Sequence, residues 1–150
     1  MALLIALHVL AVVVWVGGMF FAYVVLRPSA GPLESETRLG LWHGVFGRFF
    51  PWVWTSVALL LATGYGMIFL YFGGFAGAGL YIHVMQGLGI VMMLLFMHLF
   101  FVPWRRFSHA VEGKHFAEAA KNLDQMRRIV AVNLVLGLIT IIVGASGRFW

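Results

Sequence analysis

Apolar residues in this 150-residue chain do not alternate and do not recur on one stripe; they form four long runs, at about 2–26, 49–73, 80–104 and 129–147. Each run is long enough to cross about 30 Å of hydrocarbon at about 1.5 Å per residue. The pattern predicts an all-α integral membrane protein: a four-helix bundle in one domain, 1–150, with short amphipathic cytoplasmic helices. Those helices are expected at Glu34–Phe50, leading into Pro51, and at Ser108–Arg128, where charges interleave with Ala, Phe and Leu. Pro28 and Pro32 are expected to end the first span. That span has no Lys or Arg ahead of it and ends in Arg27-Pro28. It is therefore taken as permanent and not as a cleaved leader.

Charge then orients the bundle. Nine of the ten basic residues fall between spans 1 and 2 or between spans 3 and 4; Arg148 alone lies on the other side. The positive-inside rule places the basic connections in the cytoplasm and both termini outside. Trp42, Trp52, Trp54 and Trp104 are expected at the cytoplasmic boundary and Trp150 at the opposite one, as interfacial aromatics. A net charge of +5 does not point to nucleic acid, because the basic residues sit between apolar runs and not on a soluble face. Membrane lipid is the expected partner, with a quinone or a porphyrin as a lipophilic second and a homo-oligomer as an open arrangement.

Composition narrows the chemistry further. With 63% hydrophobic and 10% charged residues there is no room for a large soluble catalytic unit, and the absence of Cys removes thiolate metal sites and cysteine nucleophiles. All five acidic residues lie in the basic connections, which argues against an intramembrane carboxylate proton relay. The polar residues within the spans are chiefly His8, His83, Gln86, His98 and Asn133.

His8 and His83 stand a few residues into spans 1 and 3, which run in the same direction, so they should share a depth near the outer surface. The first and third helices of a four-helix bundle are usually diagonal, and facing side chains in the core build cofactor sites. The gap suits a haem b between two imidazoles. Trp15 on the His8 face, Gly87 on the His83 face and Asn133 on the last span would complete its walls, and Arg48, Arg127 and Arg128 would clamp the acidic groups of a porphyrin or a phospholipid headgroup, or serve simply as topology determinants. Either histidine taken alone is equally explained by hydrogen bonding at the headgroup level. His98 with His43 is a weaker second pair. Met85, Met92, Met93 and Met97 offer thioethers suited to Cu(I), and are also ordinary gap-fillers of an apolar bundle.

Leu7-His8-Val9-Leu10 followed by Val14-Trp15-Val16-Gly17-Gly18-Met19-Phe20 resembles the first helix of the CopD superfamily of bacterial membrane proteins. Arg48 to Pro51, Ile82-His83 and His98 extend the resemblance over almost the whole chain. The same core is similar to the HemJ protoporphyrinogen oxidases. That resemblance implies haem b held through residues matching His8 and His83, with Arg48 before Pro51. HemJ proteins carry a Lys two residues after the third-helix His where this chain has Met85, a departure that bears on any activity needing that cation. The expected function is a haem b protein of redox, electron-transfer character, an oxidoreductase if it is an enzyme, acting on a quinol or porphyrinogen. Two alternatives stand beside it: a copper-binding or copper-transport protein, and an assembly subunit without a cofactor.

Overall fold

The computed structural model describes residues 1–149; Trp150, expected at the outer boundary, lies outside the described residues. Four helices are long and apolar enough to cross a membrane: α1 (Ala2–Ala30), α2 (Ser35–Tyr71), α3 (Leu80–Glu112) and α4 (Phe116–Phe149). They are apolar on nearly all sides. Leu3, Val13, Leu70, Leu94 and Ile142 are among the many large side chains left exposed, as expected where the surrounding solvent is hydrocarbon.

The helices outrun the apolar stretches. The Glu34–Phe50 and Ser108–Arg128 segments do not lie as separate surface helices: the first runs straight into the second span within Ser35–Tyr71, and Arg105–Glu112 and Phe116–Ser146 continue spans 3 and 4. At 37 residues, α2 is about 55 Å long, so its basic end projects beyond the hydrocarbon. Pro28 does not end α1 either. A π-helical segment, Phe21–Leu26, precedes it, and a second, Phe100–Trp104, contains Pro103. Widening the helix by one residue per turn is how a chain accommodates a ring that lacks an N–H without breaking.

Two hairpins make the bundle. α1 packs along α2 and α3 along α4, while α1 and α4 also touch. At the centre, a Cβ added to Gly137 on α4 would stand 2.9 Å from Val16 Cγ2 on α1 and 3.1 Å from Met92 Cε on α3. Only a hydrogen at that position lets three helices approach at this level. Two turns away, Gly144 faces the Sδ and Cε of Met85. Toward the basic end the hairpins are joined by aromatic rings. Phe50 meets Phe96 at 5.6 Å and Trp104 at 5.0 Å, and Trp54 meets Phe96 at 5.2 Å and Phe100 at 5.5 Å. Each edge-to-face pair adds about 0.5–1.5 kcal/mol beyond area burial. Three of the four tryptophans expected at the boundary are therefore not interfacial anchors. Trp42 is 2% exposed, and Trp54 and Trp104 are wedged into the aromatic block; Trp52 alone projects outward, 62% exposed.

Gly137→Val should lower the stability of the detergent-solubilised protein by about 1–3 kcal/mol, because the added carbons must displace Val16 and Met92 in a packed core. Gly144→Ala, which meets only the flexible end of Met85, should cost clearly less. Denaturant titration of both variants beside the unaltered protein checks the order; equal losses would contradict it.

Candidate functional site

The polar groups of the spans gather at two levels. One lies in the half of the bundle that holds the N-terminus and the α2–α3 connection, here the terminal end. The other lies at the basic end.

At the terminal end the site grows from His8. The inward stripe of α1 runs Leu4, His8, Ala11, Trp15, Met19 and Ala22, at helical spacings of three and four. This turns the half-buried His8 ring toward α2, where Nδ1 lies 2.8 Å from Thr63 Oγ1 and Gly64 leaves space beside the ring. Thr63 Oγ1 in turn lies 2.6 Å from the carbonyl of Leu59. A carbonyl only accepts, so the single hydroxyl proton goes to Leu59 and Nδ1–H donates to Thr63. The tautomer is thereby set, and Nε2 carries a free lone pair. This is the way a ligating histidine is usually oriented, with its other ring nitrogen tied to a fixed acceptor.

Depth follows from the Gly137 contact. Val16 and Met92 meet there; stepping back along the parallel helices α1 and α3, His8 lies about 12 Å and Met85 about 10 Å toward the terminal end. The contact of Met85 with Gly144 agrees with that register. His8, Thr63 and Met85 thus occupy one layer. Gln86 Nε2 donates to Tyr65 OH at 3.1 Å just beside it and ties α3 to α2, and the amino group of Met1 donates to Tyr71 OH at the outer edge.

His83 is not part of that layer's interior. It is exposed, stacked on Phe75 at 6.5 Å, and its neighbours Gly87 and Ile90 on the same face are exposed too. The cause is rotation. α3 buries Met92, Phe96 and Leu99 and seats Met85 against α4, and a shift of two residues along a helix is about 200° around it. Seating Met85 inward turns His83 outward. The expectation that two imidazoles face each other across a central cleft is corrected accordingly: His8 points inward and His83 does not. Gly87, placed as a wall of that cleft, has open space on its exposed face.

The other candidate residues lie elsewhere. Trp15 and Asn133 do share a small cavity, farther toward the basic end, with Met19, Phe46, Phe50 and Phe96 among its walls. Asn133 Nδ2 donates to the Met92 carbonyl at 3.2 Å, and its Oδ1 is buried without a partner. Arg48 is exposed and donates to the Gly44 carbonyl of its own helix at 3.1 Å. It clamps nothing between helices. His98 is exposed on α3, whereas His43 on α2 reaches the other face of that helix, with Nε2 2.9 Å from Ser108 Oγ and 3.8 Å from Glu112, and its ring on Trp104 at 5.6 Å. The two do not form a pair. The His43–Ser108–Glu112 cluster was not anticipated. The i,i+4 spacing of Ser108 and Glu112 was its only trace in the sequence.

Among the described residues no three of His, Asp or Glu converge on one point. A site for a hard or borderline cation is thus not built. What the terminal layer offers is one oriented imidazole nitrogen and one thioether at the same depth, a donor set that suits Cu(I) and no carboxylate-seeking metal.

Comparison with known proteins adds one positive finding. No curated protein and no solved structure matches the chain. Residues 43–146 match the model of a family described as copper resistance protein D. The match takes in most of α2, all of α3 and nearly all of α4, with Thr63 and Met85, and leaves out α1 with His8. It spans well over half of the chain, and together with four apolar helices it makes this a multi-pass membrane protein of the copper resistance protein D (CopD) family.

Proposed function

We propose that this protein handles Cu(I) within the membrane, receiving the ion at the terminal end of the bundle on Nε2 of His8 with the thioether of Met85 as second donor. The observation that carries the reading is the hydrogen-bond chain from His8 through Thr63 to the Leu59 carbonyl, which holds the ring in the tautomer a soft metal needs. Family membership supports copper as the cargo. The chain's own contribution is to orient the imidazole, to supply a polarizable sulfur at the same depth and to keep carboxylates away, so that a monovalent soft ion is favoured over divalent competitors. Haem b with redox character is supported by less: His8 is a suitable axial donor, but His83 faces outward and reaches the same iron only if α3 turns by about half a turn.

Copper binding is tested on protein purified in lipid nanodiscs, loaded with Cu(I) under reducing conditions against a competing chelator. About one Cu(I) per chain is expected, with nitrogen and sulfur in the X-ray absorption spectrum. His8→Ala should abolish binding and Met85→Leu should weaken it. Thr63→Val removes only the orienting acceptor and should cost roughly tenfold to a hundredfold in affinity. Retention of copper by His8→Ala at the level of the unaltered protein would overturn the site. A Soret band in protein from haem-replete cells, lost on substituting His8, would replace copper with haem b.

We also infer that the basic end faces the cytoplasm of an inner membrane and that both termini are periplasmic, on the strength of the basic-residue asymmetry. The chain lacks Cys, so single cysteines report topology directly. A membrane-impermeant thiol reagent should label Ala76→Cys, in the α2–α3 connection, in intact spheroplasts. It should label Ala117→Cys, at the start of α4, only after lysis. The reverse pattern would invert the bundle.

A further inference from the structure

We propose that the basic end of the bundle carries a binding site for a phosphate group, between α1, α2 and α4, centred on Arg127 and Trp42. Two buried donors there have no partner among the described residues: Nε of Arg127 and Nε1 of Trp42. Both residues line one small cavity, together with Ala22, Tyr23, Arg27, Phe46 and Val130. A buried N–H left unbonded costs roughly 1–3 kcal/mol, more when the group is charged, so two at one cavity mark a place built for an acceptor the polypeptide does not supply.

The charge around the cavity points the same way. Arg27 and Arg38 lie near enough to Arg127 for the three cations to repel, and Asp124 is the one carboxylate that acts on Arg127. Asp124 is already engaged with Arg128 at 2.8 Å. Arg38 donates to the carbonyls of Gly31 and Leu33 at the end of α1, and Arg27 lies over the Tyr23 ring at 4.8 Å, so neither cation is neutralised by an acid. Among the described residues the only ion pairs are Arg128–Asp124 and His43–Glu112. Two guanidinium groups that line the cavity, Arg27 and Arg127, with Arg38 near by, an indole N–H beside them and no carboxylate among the lining residues, match a tetrahedral oxyanion, which takes several charge-assisted bonds from such a set. Ala22 and Tyr23 belong to the π-helical segment Phe21–Leu26; this widened turn forms one wall of the cavity, and such turns recur at binding sites.

The ligand chemistry is phosphate, either as an anionic lipid headgroup at the basic surface or as a free phosphate species from the aqueous side. The test uses the full chain in nanodiscs of phosphatidylcholine alone or with phosphatidylglycerol, reading bound lipid by native mass spectrometry and the thermal midpoint. The unaltered protein should retain phosphatidylglycerol over phosphatidylcholine, and retention should fall as salt rises from 0.05 to 0.5 M, about a Debye length effect. Arg127→Gln and Arg27→Gln should each weaken retention about tenfold, and Trp42→Phe about threefold while keeping the ring. Arg48→Gln, at an exposed cation on α2 that bonds to its own Gly44 carbonyl and does not line the cavity, should change retention far less. If millimolar inorganic phosphate raises the midpoint in phosphatidylcholine discs and displaces phosphatidylglycerol, the source is a free phosphate. If only the lipid acts, the source is the headgroup. Equal retention of both lipids together with no response to phosphate would overturn the proposal. So would Trp42→Phe and Arg27→Gln both behaving as the unaltered protein, a comparison that decides the matter even where Arg127→Gln does not fold. Copper loading at His8 lies at the opposite end of the bundle and is read separately.

Discussion

The close approach of three helices at Gly137 sets the register on which the rest of the bundle depends. Because the Cα hydrogen of Gly137 is all that separates α4 from Val16 of α1 and Met92 of α3, sliding any one helix along the others would drive a side chain into the backbone. Water does not drive association inside a membrane, so such van der Waals fit, with a few interhelical hydrogen bonds, is what holds the helices together. Asn133 donating to the Met92 carbonyl lies one turn away and reinforces the same level. From that level outward, residue spacing determines depth, and His8, Thr63 and Met85 fall into one layer.

Rotation matters as much as depth. α3 could in principle bury either its methionine face or its His83 face, and packing chooses the former, since Met85 and Met92 fill the concave surfaces left by Gly144 and Gly137. Thioether chains are flexible and polarizable and adapt to such irregular gaps. The same choice that packs the bundle therefore brings sulfur to the level of the one oriented imidazole. Met85 thus fills a gap in the bundle and, in the proposed copper site, would also serve as a donor.

The two ends of the molecule solve different electrostatic problems. At the terminal end, polarity is held in short chains of hydrogen bonds that leave the lone pair of His8 Nε2 without a partner among the described residues. At the basic end, Arg27 and Arg127 line a cavity that has no carboxylate in its walls, with Arg38 close enough to repel Arg127. An apolar aromatic block, with Phe50, Trp54, Phe96, Phe100 and Trp104, lies between His8 and the basic connections.

Length and composition alone were enough to determine the helical, membrane-spanning character of the chain, because hydrocarbon leaves a backbone no other way to satisfy its N–H and C=O groups over four runs of this length. The accumulation of basic residues at one end was equally legible, being a property of order along the chain. Helix ends were not: Pro28 read as a stop and Glu34–Phe50 as a separate helix before Pro51, yet the first span continues past Pro28 after a π-helical turn and the second runs unbroken through Pro51. Nor was the facing of His83, Trp42 or Trp104. A helix hydrophobic on every side carries no moment that says which face is inner, so rotation about each axis is settled only by how neighbouring helices interlock. That is why His8, Met85 and Arg127 could be singled out from the sequence, while the hydrogen bond of His8 to Thr63, the inward seat of Met85 and the unpaired donors of Arg127 and Trp42 emerged only when the helices were assembled.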